Sequence, residues 1–229
     1  AICNSPQLVY MAKGNLILNT AVITLAGQDL AQITHVTFGG SVTVNTTEHG
    51  GTSVIWSEND GEIRVKNGAD VTIVTEGYFN YNVGSDVNFI MEDNSSFNLT
   101  TNSNSFTYET HTIVTFSVGN NCHFSFNNNR AASAYGAIRV KANGSFSVGE
   151  NSTFEVSYPR GSGSAIQLLG GASATFQNPE RVKLYAGTGG AFAFGTSCSL
   201  SITAGAVNVW PTATGLGDTS VPTYIWNKG

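Results

Sequence analysis

Three acidic residues, Glu58, Asp60 and Glu62, occupy alternate positions of one short segment. Carboxylate oxygens, together with backbone carbonyls, are the ligands that Ca²⁺ takes in proteins, so this segment is a candidate calcium site. The spacing lacks the full ligand set of a calcium-binding loop, and a solvated acidic turn accounts for the same residues. The sequence therefore predicts neither a metal nor a cofactor, and these three residues are weak metal candidates only.

A second set of residues combines cations and aromatic rings in two long connecting segments. Arg130 and Tyr135 belong to the first segment, and Tyr158 and Arg160 belong to the second. Aromatic rings and a few well-placed polar groups suit sugar binding, and guanidinium groups pair with carboxylates. If the two segments stack, the four residues share one edge of the molecule and are predicted to bind a ligand. In the competing interpretation the tyrosines fill turns and the arginines only keep the surface soluble.

Cleavage of polysaccharides would require clustered carboxylates. A hydrolase uses two of them about 5 to 9.5 Å apart, and a lyase uses several to hold Ca²⁺ beside a basic residue. Among fifteen positions predicted to point outward from regular strands, only Glu155 is acidic, and it precedes Lys183 by 28 residues. We expect these two residues to form a cross-strand ion pair, and we predict no catalytic residue. The fifteen positions are Arg64, Thr72, Asn80, Asn88, Asn98, Ser117, Ser125, Arg139, Ser147, Glu155, Gln167, Thr175, Lys183, Ala193 and Ser201.

Charge and hydropathy narrow the classes of partner. The net charge is −5, and the ten Lys and Arg residues are scattered along the chain, which argues against a nucleic-acid partner. No apolar run approaches the length of a membrane span, so no membrane insertion is expected. The first residues lack the basic region of a signal peptide, and any secretion signal is expected to have been removed.

Short β-strands are the elements that must position these residues. Only 11% of the 229 residues are charged, and 26 are glycine. Helical proteins need many straight-chain residues such as Leu, Glu, Lys and Arg, whereas this chain is rich in Val, Ile, Phe and Thr punctuated by Gly and Asn. The composition predicts an all-β protein with many tight turns.

Pairs of apolar residues separated by one residue recur every eight positions, and the whole pattern repeats after 28 residues. Within each pair, the period of two places the apolar side chains on one side of a strand. The clearest pairs are Ile138/Val140, Phe146/Val148 and Phe154/Val156, followed by Ile166/Leu168, Ala174/Phe176 and Val182/Leu184.

Three strands per round cannot bury their inner sides alone, whereas rounds stacked about 4.8 Å apart form a continuous core. The repeat therefore predicts a right-handed parallel β-helix, that is, a three-faced β-solenoid of about six to seven rounds of 22–28 residues. We predict one domain over 1–229, with 1–35 as an N-terminal cap or first round and 203–229 as a C-terminal cap. Trp210 and Trp226 are expected to cover the last round.

Before residue 138 the repeat is less regular. Spacing alone places Val87 one round after Ile63, and Phe116 one round before Ile138. The same alignment puts Cys122 and Cys198 on one face, three rounds and roughly 14 Å apart. That distance exceeds the reach of a disulfide, so both thiols are expected to be reduced and buried.

Glycine and asparagine fall between the apolar pairs, where the chain must turn. These two residues tolerate positive φ, and stacked asparagines are expected to form amide ladders along the axis. The turn residues include Asn67-Gly68, Gly84, Gly119-Asn120, Asn143-Gly144, Gly149, Asn151 and Gly170-Gly171.

Residues 127–195 resemble the pectate-lyase-like adhesive domain of Gram-positive bacterial surface proteins. The resemblance rests on Tyr135-Gly136-Ala137-Ile138-Arg139-Val140, on Ala165-Ile166-Gln167-Leu168, and most of all on the motif F-x-N-P-x-x-V-x-L from Phe176 to Leu184. The ending Val207-Asn208-Val209-Trp210 is also similar. These are core and turn residues, so the resemblance indicates the scaffold and identifies no ligand-binding residue.

The resemblance implies an extracellular, non-enzymatic adhesin at the bacterial cell surface, as a monomeric module of a larger wall-attached protein. Its partner would be a polysaccharide or glycoprotein of a host or plant, bound along the side of the solenoid. Two alternatives stay open at this point: a divergent lyase or hydrolase acting on acidic polysaccharide, and a spacer without a ligand.

Overall fold

The computed structural model describes residues 7–10, 15–25, 29–46, 53–58, 61–83, 86–102, 106–107, 112–129, 135–159, 163–186, 190–203, 207–211 and 223–225. These ranges contain 21 strands and no helix. The strands are β1 (Gln7–Tyr10), β2 (Asn15–Leu25), β3 (Asp29–Gln32), β4 (His35–Thr46), β5 (Ser53–Glu58), β6 (Gly61–Val65), β7 (Asp70–Thr75), β8 (Tyr78–Val83), β9 (Val87–Met91), β10 (Ser96–Thr101), β11 (Ile113–Val118), β12 (His123–Asn128), β13 (Ile138–Val148), β14 (Thr153–Tyr158), β15 (Ile166–Leu168), β16 (Ser173–Gln177), β17 (Arg181–Ala186), β18 (Phe192–Phe194), β19 (Ser199–Thr203), β20 (Val207–Pro211) and β21 (Thr223–Ile225).

The strands wind into a parallel β-solenoid with three faces. Face A contains β1, β3, β5, β8, residues 138–140 of β13, β15 and β18. Face B contains residues 15–18 of β2, residues 35–38 of β4, β6, β9, β11, residues 145–148 of β13, β16 and β19. Face C contains residues 20–25 of β2, residues 41–46 of β4, β7, β10, β12, β14, β17 and β20. All pairings within the three faces are parallel, and β21 adds to β20 in the antiparallel sense.

About five turns of the solenoid are complete, where the repeat predicted six to seven. Strand pairing continues beyond them at both ends. On face B it connects eight levels, from Leu18 to Ile202. The all-β parallel solenoid predicted from the sequence is therefore confirmed.

Phenylalanine ladders fill the centre of the core. On face B the rings of Phe116 and Phe146 stack with centroids 5.0 Å apart, and on face C the rings of Phe124 and Phe154 stack at 4.8 Å. Phe116 meets Phe124 edge to face at 5.3 Å, so the two ladders interlock across the coil. All four rings are 0–1% exposed. Such ring pairs stabilise the fold beyond the area they bury, by about 0.5–1.5 kcal/mol each.

Strand registers after residue 138 follow the predicted spacing, but two of the earlier ones do not. Phe116 pairs with Phe146, 30 residues later, and not with Ile138. Ile63 pairs with Phe89, and not with Val87. A bulge between Ile113 and Thr115 and a connection of variable length shift the pairing here, and neither leaves a trace in the inward apolar pattern.

The turn between faces B and C repeats one backbone conformation at five levels. Gly68, Asn94, Asn121, Asn151 and Asn178 all have positive φ, between 40° and 74°. The amide of Asn121 donates to the side-chain oxygen of Asn94 at 3.4 Å, and the amide of Asn151 donates to that of Asn121 at 3.4 Å. The predicted asparagine ladder is therefore confirmed at this turn.

The two described cysteines lie at different corners of the coil, so the prediction that they share a face is wrong. Cys122 follows Asn121 in the turn between faces B and C, and its S–H donates to the carbonyl of Glu92 at 3.2 Å. Cys198 precedes face B, and its S–H donates to the carbonyl of Leu169 at 3.1 Å. Both are free thiols as predicted, but only Cys122 is buried, and Cys198 is half-buried.

Candidate functional site

Of the four residues predicted to form a ligand-binding edge, the structure describes two, Tyr135 and Tyr158. Tyr135 is half-buried, and the guanidinium of Arg139 lies over its ring, 5.2 Å from the centroid. Tyr158 points into the core with 1% exposed, because the inward alternation of Phe154 and Val156 continues through it. Arg130 and Arg160 lie outside the described residues.

Arg139 and Tyr135 form a local cluster on face A. Burial lowers the pKa of Arg139. Gln167 is the neighbour of Arg139 on the next level, and its side-chain oxygen accepts the N–H of Gly136 at 3.3 Å. Tyr135 and Arg139 thus contact each other, which favours a structural role for the tyrosine ring.

Glu62, one of the three weak metal candidates, takes part in ion pairs. Its carboxylate accepts from Arg64 at 2.7 Å, and Arg64 also donates to Glu92 at 3.1 Å. Lys66 donates to Glu92 at 3.0 Å. The hydrogen bond from Arg64 holds the pKa of Glu62 below its usual value. The side chain of Glu58 and all of Asp60 lie outside the described residues, among which no group of three potential metal ligands occurs.

The outward positions keep their predicted orientation with one exception. Fourteen of the fifteen are half-buried at the surface, and Asn80 is fully buried. Asn80 lies on face A, where it bridges to Thr107, which is also buried. Face A is therefore covered at this level.

A groove with a volume of about 380 Å³ crosses three levels of face C. Two rows of outward side chains form it, because β12, β14 and β17 pair in register and every second residue points out. The first row is Ser125, Glu155 and Lys183, and the second is Asn127, Ser157 and Tyr185. Phe126 and Val156, whose side chains face the core, contribute to the floor.

The two rows define a two-by-three array of polar groups. Neighbours within a row lie on adjacent strands, about 4.8 Å apart, and the rows are two residues apart, about 6.5 Å. The first row passes from a hydroxyl to a carboxylate to an ammonium, and the second passes from an amide to a hydroxyl to a phenol. All six side chains are half-buried, so each is accessible from the groove.

One negative and one positive side chain line the groove. Glu155 lies directly beside Lys183 in the strand register, as predicted. The ion pair in the structure joins Glu155 Oε1 to Nη2 of Arg181, at the start of β17, where the sequence analysis expected Lys183. The side chain of Glu155 is 28% exposed and that of Arg181 is 53% exposed. The charges that line the groove itself therefore balance.

Face B presents a different surface over four of its levels. Eight of its outward side chains carry hydroxyls, and the Ser147 hydroxyl donates to that of Ser117 at 3.1 Å. The two rows are Thr115, Ser145, Ser173 and Ser199, and Ser117, Ser147, Thr175 and Ser201. This hydroxyl surface carries no charge at these eight positions.

Sequence reasoning missed half of the groove. It paired Glu155 with Lys183 through the 28-residue repeat, and the same repeat relates Ser157 to Tyr185. Asn127 was missed because the upstream register was shifted by one face. Tyr185 was missed because it lies on a regular strand, whereas the predicted ligand-binding rings, Tyr135 and Tyr158, were assigned to the long connections.

No protein-family model matches the chain, and neither a curated protein sequence nor a solved structure matches it. No helix in the described part of the chain is long and apolar enough to cross a membrane. The proposed function therefore rests on the chemistry of the groove.

Proposed function

We propose that the chain is a non-enzymatic adhesive domain that binds glycans or glycoproteins with the side of its solenoid. The groove on face C carries this proposal. It is an open depression with hydroxyl, amide, carboxylate and ammonium groups beside the phenol ring of Tyr185. Protein sites that bind small polar molecules combine a ring or apolar wall with a few convergent polar groups, and sugars offer hydroxyls that both donate and accept.

The absence of a catalytic pair from the groove lining supports a binding role. A glycosidase uses two carboxyl groups that flank the scissile bond. Glu155 is the only carboxylate among the lining residues, and it is ion-paired with Arg181. The same residues can hold a sugar without cleaving it, since hydrogen bonding needs no second acid.

The resemblance of residues 127–195 to the adhesive domain of Gram-positive surface proteins supports the biological setting. On that basis the chain acts outside the cell as a monomeric module of a wall-attached protein. Its partner is a host or plant polysaccharide, or the glycan part of a glycoprotein. The low charge content and the abundance of short polar side chains are in keeping with an extracellular surface.

A glycan array probed with the 229-residue chain tests this proposal. We expect saturable binding that Tyr185→Ala reduces and that Thr175→Ala, on the hydroxyl surface of face B, leaves unchanged. In parallel, incubation with pectin is expected to give no new reducing ends and no unsaturated products, with or without EDTA. Turnover in that assay would replace the adhesin with a lyase or hydrolase, and a blank array would remove the binding function.

A further inference from the structure

We propose that the groove on face C is one end of a longer binding track, and that the ligand is a linear, unbranched polysaccharide lying along the solenoid axis. The inference rests on the proposed function, since it names the class of glycan that the same face takes. Three observations support it: the strand register of face C, the uncharged residues that continue the rows of the groove, and two exposed valines among them.

Both rows of the groove continue over the four preceding levels of face C. There β4, β7, β10 and residues 20–25 of β2 pair in parallel with one another, and β10 pairs with β12, without a register shift. Each outward residue therefore lies beside its counterpart on the next strand, about 4.8 Å away. The added residues, here called the extension, are Val22, Thr43, Thr72 and Asn98 in the first row, and Thr24, Asn45, Val74 and Thr100 in the second. Groove and extension together span seven levels, or about 29 Å.

The extension carries no charged residue, whereas face B carries charges on the same turns. Glu62 and Arg64 point outward from β6, and their side chains engage each other at 2.7 Å. In the extension, the amide of Asn98 donates to Ser96 Oγ at 3.2 Å. This hydrogen bond orients the amide and uses one of its two N–H donors, so the other donor and the carbonyl oxygen are left for a ligand.

Two exposed valines add apolar contacts to the extension. Val22 is 82% exposed and Val74 is 39% exposed. They are two of the four large apolar side chains that are exposed in the described part of the chain. Tyr185 lies at the opposite end of the second row, so apolar groups occur along the track and not in the groove alone. Apolar surface beside a few polar groups is the combination that also suits sugar rings.

A ligand that contacts both the groove and the extension must be long and straight. The two rows run parallel to the solenoid axis and offer a hydroxyl or an amide at almost every level. A chain of repeating sugars can form similar contacts from one level to the next, whereas the branches of a short glycan diverge from the rows. Each further level adds its own hydrogen bonds, so affinity should rise with the length of the glycan.

Affinity measurements with oligosaccharides of different length test this inference. The probes are the trisaccharide and the octasaccharide of a linear glucan, a xylan, a mannan and polygalacturonate, together with the four polymers. The proteins are the unmodified chain, the double variant Thr72→Ala/Asn98→Ala in the extension, Tyr185→Ala in the groove, and the control Thr175→Ala on face B. Thermal unfolding of each variant checks that the fold is retained.

We expect the octasaccharide of at least one series to bind about tenfold more tightly than the trisaccharide, which the groove alone can hold. The double variant should weaken octasaccharide binding by about tenfold, because hydrogen bonds are lost at two levels, and should leave trisaccharide binding unchanged. Tyr185→Ala should weaken both, and Thr175→Ala neither. A longer probe also gains affinity from its larger number of binding registers, but the double variant does not remove that gain.

Two results would overturn the inference while leaving the adhesin intact: equal affinity for the trisaccharide and the octasaccharide, or octasaccharide binding that the double variant leaves unchanged. Absence of binding to every probe, the polymers included, would instead contradict the proposed function itself, and the inference with it.

Discussion

Faces B and C run through the same turns of the coil, yet only their inner sides are alike. Inside, each face contributes a ladder of stacked phenylalanines, with Phe146 on face B and Phe154 on face C in edge-to-face contact at 5.3 Å. Outside, face B carries eight hydroxyl side chains, whereas face C carries a carboxylate, an ammonium and a phenol around a groove. The solenoid requires only the inner pattern, so folding does not explain the outer difference, and the proposed binding function rests on face C.

The largest expected effect is a loss of stability when the phenylalanine core shared by faces B and C is disrupted. Phe154→Ala and Phe146→Ala each remove a ring that is 0–1% exposed, and each should lower the free energy of unfolding by about 3–5 kcal/mol. The two values should be similar, since the rings share one core. Urea denaturation measures them, with Thr175→Ala expected within about 0.5 kcal/mol of the unmodified chain. A large loss for one ring and none for the other would mean that the faces fold as separate layers.

The next effect separates the faces by ligand binding. Tyr185→Ala should reduce affinity for a bound glycan by about tenfold or more, because the ring supplies apolar contact that no other lining side chain replaces. Isothermal titration provides the affinity. Ser147→Ala, on the hydroxyl surface of face B, is the matched control and should leave affinity unchanged. Equal losses from both variants would show that a ligand spans the two faces, and that the comparison drawn between them is wrong.

The sequence predicts the inward side chains of faces B and C better than the outward ones. The inward pairs from Ile138 onwards gave the correct registers, because apolar alternation is the signal that a buried face imposes. Turn lengths are not constrained in that way. The longer round between Phe116 and Phe146 therefore shifted the earlier alignment, separated Cys122 from its predicted face and hid the position of Asn127.

Outward residues were predicted in direction but not in grouping. Glu155 and Lys183 were placed side by side, yet the ion pair goes to Arg181, because which of two neighbouring cations a carboxylate engages depends on rotamers. Tyr158 was assigned to a long connection at the ligand-binding edge, while the alternation of β14 carries it into the core. An aromatic residue near a turn can point into the core or to the surface, and only the strand register decides which.

A smaller effect concerns the turn where face B becomes face C. Asn121 has a φ of 53° and contributes to the asparagine ladder. Asn121→Ala should cost about 1–2 kcal/mol, because a side chain with Cβ and no local hydrogen bond disfavours this conformation. Asn121→Gly should cost less, since glycine adopts positive φ without steric conflict. Chemical denaturation of the two variants separates backbone strain from loss of the ladder. Equal costs for alanine and glycine would assign the stability to the amide contact alone.

The smallest effect lies within face B, whose earlier turns carry charges where its later turns carry hydroxyls. The hydrogen bond from Arg64 lowers the pKa of Glu62. Burial alone would raise the pKa of Glu92, but hydrogen bonds from Lys66, the N–H of Asn67 and Arg64 lower it on balance. A lowered folded-state pKa stabilises the fold above the unfolded-state value of about 4.5, and this contribution is lost as pH falls through the folded-state pKa.

Glu62→Gln should therefore destabilise the chain at pH 7 by about 1 kcal/mol or less, as expected of a pair near the surface, and the difference should vanish in acid. Unfolding curves of both proteins at pH 7 and at pH 2 to 3, well below the usual carboxyl pKa, measure this. Ser147→Ala supplies the control on the hydroxyl half of the face, because its effect on stability has no titrating group behind it and should not change with pH. If Glu62→Gln behaves like Ser147→Ala across the range, the ion pairs contribute no net stability, and the two halves of face B differ in charge only.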